Sequence, residues 1–150
     1  LNWKPVAITF AIIAAIVLAL GLFSASVLAG ETDCTTWLAS DHPTWKGADA
    51  KYTLPSGKRP DLVTPSLAIE VERCTRPKWY EAIGQSLCYA IEIADAEPGK
   101  DRRPAIILLR TAATADDAVE IAVIKDCQRV CDRVGILLFV VTPPVELLSR

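Results

Sequence analysis

Leu67, Ile69 and Val71 alternate with Ala68, Glu70 and Glu72. This two-residue period predicts a strand that sends its aliphatic side chains to one face and both carboxylates to the other. Upstream, Ala50–Leu54 and Pro60–Val63 flank the turn-forming run Pro55-Ser-Gly-Lys-Arg59, which predicts a hairpin around Ser56-Gly57. Thr64-Pro65-Ser66 is a connection short enough for adjacent antiparallel strands, so the three segments read as a meander. From Arg76-Pro77 the period becomes that of a helix, with proline suited to the first turn and Pro98-Gly99 beyond an end near Asp95. Trp79, Ile83, Leu87 and Ile91 recur at four-residue steps and form the expected packing face. Lys78, Gln85 and Tyr89 form a narrow polar stripe elsewhere on the helix, Gln85 and Tyr89 falling about 20° to either side of Lys78.

Ala105–Leu109 and Ile136–Val141 are continuous aliphatic runs, as expected of strands buried on both faces at the centre of a sheet. Between them, Thr114-Ala-Asp-Asp117 begins a second helix, with Thr114 as the expected cap, acids in the first turn and a stop at Gly135. The resulting order, βββ-α-β-α-β, predicts an α/β fold with a mixed central β-sheet flanked by helices. Residues 30–46 hold Trp37, Trp45 and the sole histidine, His42, followed by Pro43. A short helix or irregular lead-in is expected there, with His42 in a loop rather than serving as a catalytic base.

Ahead of these elements, residues 5–29, PVAITFAIIAAIVLALGLFSASVLA, contain no charge and follow Lys4. They predict an N-terminal apolar helix. Its length suffices to span a bilayer core as an anchor, while Val27-Leu-Ala29 before Gly30 fits the cleavage site of a signal peptide. Lys4 in front, with Glu31 and Asp33 behind, predicts an exported remainder, periplasmic or anchored in the inner membrane with the domain outside the cytoplasm. The chain thus divides into a signal peptide or transmembrane anchor at 1–29, a lead-in segment at 30–46 and a single domain at 47–150, long enough for one modest core.

Charge and cysteine usage narrow the picture further. With 16 basic and 18 acidic residues the formal charge is −2, so the protein as a whole is not basic. The cations cluster instead at Lys46, Lys51, Lys58, Arg59, Arg73, Arg76 and Lys78. If the acids among them are neutralised by metal, this rim becomes positive and suits phosphates. Five cysteines leave at least one without an intramolecular disulfide in an oxidising compartment. Cys127 and Cys131, one helical turn apart, lack a clear second ligand pair for zinc and read as buried thiols or a disulfide.

The predicted strand pairing gathers Asp61, Glu70 and Glu72. Clustered carboxylates repel one another, and a hard divalent cation that prefers oxygen ligands and keeps several waters relieves them. The ordered set Asp61, Glu70-x-Glu72 and Gln85-x-x-x-Tyr89 resembles the PD-(D/E)xK nuclease superfamily, most of all its Holliday-junction-resolvase-like branch, which pairs the acidic motif with QxxxY. The wider phrase AIEVE…KWYEAIGQSLCYA is similar to a group of small exported bacterial proteins of that superfamily. The resemblance covers residues 47–142.

This resemblance implies a restriction-endonuclease-like core and a Mg2+- or Mn2+-dependent endonuclease or resolvase-like phosphodiesterase acting on DNA outside the cytoplasm. Asp61 and Glu70 are then the metal ligands, and Glu72 assists or orients water. Gln85 and Tyr89 support the site or contact phosphate, and Lys58, Arg59 and Arg76 are further nucleic-acid contacts. The superfamily's second motif ordinarily ends in lysine, where this chain has Glu72. Lys78, on the helix face of Gln85 and Tyr89, is the expected catalytic substitute. The missing lysine and acidic total charge leave an alternative, a catalytically silent exported module that keeps the fold to bind nucleic acid, lipid headgroup or protein. A homodimer is compatible with either.

Overall fold

The computed structural model describes residues 32–110 and 117–148. The leader at 1–29 and the expected cap Thr114 lie outside these described residues. Helix α1 covers 32–40. It is followed by β1 (Leu62–Val63), β2 (Leu67–Arg73), α2 (Arg76–Ala96), β3 (Arg103–Leu109), α3 (Ala118–Val134), β4 (Leu137–Val141) and the short α4 (Val145–Leu148). Four strands form one sheet in the order β1-β2-β3-β4. The β1–β2 pair is antiparallel, and β2–β3 and β3–β4 are parallel, so the fold is α/β with a mixed sheet. The parallel pairs require crossovers, and α2 and α3 supply them. Among the described residues, no helix is long and apolar enough to cross a membrane.

Both faces of the sheet are covered, which is why β3 carries aliphatics without alternation. On one face Ile69, Val71, Ile107 and Leu109 pack with Cys34 and Leu38 of α1 and with Trp45. On the other, Ile106 and Leu108 meet Trp79 and Ala82 of α2 and Val123, Cys127 and Cys131 of α3. The Sγ atoms of Cys127 and Cys131 lie 3.7 Å apart, both buried and both free thiols. The α3 helix begins at Ala118 because the Asp117 side chain accepts hydrogen bonds from the Val119 and Glu120 amides. It ends where Gly135 turns left-handed, at φ 76°. A part-buried ion pair, Arg110 Nε to Glu120 Oε2 at 3.1 Å, ties its first turn to the end of β3.

Three expectations are corrected. The first strand of the meander does not form; residues 50–54 are irregular, and only an isolated antiparallel bridge joins Asp49 to Val63. Local bonds compete with a ladder there: Asp49 Oδ1 accepts from the Lys51 amide at 2.7 Å, and Thr53 Oγ1 donates to the Lys51 carbonyl at 3.3 Å. Second, β4 is not central but stands at the edge of the sheet. Third, of the expected packing face of α2, Trp79, Ile83 and Leu87 pack on the core but Ile91 is 61% exposed, and the buried side of the helix includes Ala82, Ser86, Tyr89, Ala90 and Ile93. A series of strict four-residue steps drifts about 40° per step around a helix of 3.6 residues per turn, so Ile91 has rotated off the sheet.

Candidate functional site

The β1–β2 register pairs Leu62 with Ile69 and Val63 with Ala68. One step further along that register, Asp61 comes opposite Glu70. Cross-strand neighbours share a face, and the half-buried Asp61 carboxylate is held there by the Val71 amide, which donates to Oδ2 at 2.8 Å. The two-residue period of β2 then places Glu72 on the face of Glu70. Both carboxylates are buried, at 5% and 7% exposure.

From α2, Gln85 and Tyr89 stand one turn apart and face the same place. Asp61, Glu70, Glu72, Gln85 and Tyr89 together line a cavity of about 410 Å3, with Arg59 at its wall. The opposite wall is α1, through Thr32, Thr35 and Thr36. These threonines were not anticipated as site residues. Their spacing of three and four residues is the available signal, since it marks one face of a helix, yet nothing local to the lead-in links that face to residues 61–89.

The electrostatics are those of a crowded acid site. Burial is the largest influence on Glu70, followed by its hydrogen bond to Asp61 and the Asp61 charge, and together they push its carboxyl up to about 10. Burial and the neighbouring negative charge both favour the neutral form of Glu70. The Tyr89 hydroxyl donates to Glu70 and acts in the opposite direction. Tyr89 itself is pushed up to about 12, first by burial and then by the Glu70 charge, and it remains a donor over the physiological range.

The basic residues divide. Arg59 reaches the cavity, but Lys58 and Lys78 are not part of its lining. Lys78 Nζ lies 4.0 Å from Glu81 Oε2 on a half-exposed surface. Lys78, the expected substitute for the motif lysine, thus stands outside the cavity lining. Its angular position on α2 matches Gln85, but seven residues of rise carry it about 10 Å along the helix axis. Lys58 belongs to the turn that closes when the Leu54 amide donates to its carbonyl at 2.9 Å. Arg76 is the first residue of α2, and its side chain lies outside what is described.

Asp61 and Glu70 are the residues suited to a hard cation. Among the described residues, no group of three or more His, Cys, Asp or Glu side chains is gathered as a metal cage. Mg2+ does not need one, because it binds through one or two carboxylates and keeps several waters. The oxygen-only donor pair fits that chemistry. His42 stays in its turn, where Nδ1 accepts from the Thr44 amide at 3.2 Å and the ring meets Trp37 edge-on. No protein-family model, curated protein or solved structure matches the chain.

Proposed function

We propose that this protein is a divalent-cation-dependent phosphodiesterase of the nuclease type, with Asp61 and Glu70 holding Mg2+ or Mn2+ and DNA as the substrate. The observation that supports this reading most is the convergence of Asp61, Glu70, Glu72, Gln85 and Tyr89 on one cavity, the set whose order along the chain resembles PD-(D/E)xK nucleases. When bound, the cation would neutralise the acid pair and polarise both water and phosphate. Tyr89 keeps the Glu70 carboxylate oriented through its hydroxyl. In this reading Glu72 would accept a proton from an attacking water, and the Gln85 amide would donate to a phosphate oxygen. Arg59 supplies the positive charge that the motif lysine supplies elsewhere, pairing with non-bridging oxygens as charge builds on them.

The position of Lys78 favours a second reading. Without a lysine in the cavity, the same site serves a catalytically silent exported module that binds a cation and a phosphate group without cleaving it. One experiment separates the two. The full-length protein is incubated with linear, circular and branched DNA in Mg2+, in Mn2+ and in chelator. The enzymatic reading expects cleavage in metal alone, abolished in Asp61→Asn and Glu70→Gln and reduced at least about tenfold in Arg59→Ala. Absence of cleavage with all three DNA forms and both metals withdraws it, and metal-dependent DNA retention without cleavage would favour the binding module.

A further inference from the structure

We infer that β4 is an interface, and that its partner is a second copy of this chain added edge to edge about a two-fold axis. The strand lies at the end of the sheet order and, among the described residues, is paired along one side only, with β3. Its sequence is Leu-Leu-Phe-Val-Val, and no charged residue occurs between Arg133 and Glu146. Edge strands ordinarily carry lysine, proline or a bulge that discourages pairing, and β4 has none of these within its span. Neighbouring β3 is enclosed from Ala105 to Leu109, whereas no residue of β4 is fully buried and Val140 is 41% exposed.

Strand geometry selects the partner. The Val141 carbonyl accepts from the Arg110 amide at 2.8 Å, so Val141 turns its backbone groups inward. Successive residues of a strand alternate in this respect, which turns the amides and carbonyls of Leu138 and Val140 outward along the open edge. An antiparallel two-fold axis through Phe139 sets Leu138 of each copy against Val140 of the other, the arrangement in which both residues exchange their hydrogen bonds. The same axis sets Leu137 against Val141. Leu137, Phe139 and Val141 share one face of the sheet with Trp45, and Leu138 packs on the other face with Ile106 and Leu108. Two-fold pairing therefore aligns like face with like and continues both cores across the joint, without opposing any charge. Beside the edge lies a cavity of about 310 Å3, bordered by His42, Trp45, Phe139 and Thr142, which leaves room for apolar side chains arriving on that face. Gly135 at one end and Pro143-Pro144 at the other confine the pairing to β4.

The test is the mass of the full-length protein in mild detergent, measured by sedimentation or light scattering up to about 500 µM, where a weak interface is also populated. Wild type is expected to double in mass with concentration. Val140→Lys places a charge on the open edge, and Val140→Pro removes the outward amide while leaving the β3 side of the ladder intact; both are expected to stay monomeric with an unchanged far-ultraviolet spectrum. Val119→Lys, which alters an exposed valine on α3 instead, is expected to dimerise as wild type does. If Val140→Pro loses the folded spectrum, Val140→Lys alone decides. A wild type that stays monomeric throughout overturns the inference, as does a Val140→Lys variant that dimerises with wild-type affinity.

Discussion

At Glu70, burial and a neighbouring carboxylate work in the same direction, and the sign of the pH dependence follows. Its folded pKa, about 10, lies above the ordinary 4.5. The neutral form is thus the one the fold accommodates. The contribution to stability is complete below about pH 4.5 and is lost as pH rises through about 10. Glutamine keeps the size, can donate to Asp61, accepts from Tyr89 and does not ionise. Glu70→Gln is therefore expected to gain on the order of 1–3 kcal/mol relative to wild type at pH 8 compared with pH 5, in chemical denaturation without divalent cations. Equal pH slopes for the two proteins would contradict the raised Glu70 pKa. The pairing of Asp61 with Glu70 was legible from the strand period and the three-residue connection. The position of Lys78 outside the cavity lining was not, because angular position on a helix says nothing of axial distance.

The two aliphatic strands read alike as sequence and differ as elements. Ala105–Leu109 and Ile136–Val141 each lack alternation, and that pattern records which faces are covered without recording how many neighbours lie in the plane of the sheet. β3 has neighbours on both sides and Leu108 is fully buried; among the described residues, β4 has β3 alone within the sheet. Leu108→Ala is expected to cost about 2–5 kcal/mol, and Leu138→Ala, on the half-buried edge, less than about 2 kcal/mol. Thermal or denaturant unfolding of the pair checks this, and equal losses would argue that β4 is as enclosed as β3. Elements set by local signals, α2 opening at its proline and α3 stopping at Gly135, were legible in the same way. The missing first strand was not, since the side-chain bonds of Asp49 and Thr53 that divert it depend on a conformation the alternating pattern does not describe.

Across the whole molecule, the cavity is assembled from two parts of unequal permanence. Its floor belongs to β2 and α2, locked into the sheet on both faces. Its wall is α1, which enters the fold through Cys34, Leu38 and the nearby Trp45 and joins the strands by a long irregular connection rather than by any ladder. A helix held this way can undock while every strand pair stays closed, a partial opening of lower free energy than global unfolding. Amides of α1 are accordingly expected to exchange with deuterium at least about tenfold faster than those of β3 in native-state measurements, and matching rates would mean the two parts open together. Such breathing gives the acid pair access to bulk water without loss of the fold. A ligand seated between the threonine wall and the carboxylates would close that route, so its first visible effect would be slower exchange in a helix that carries none of the acids.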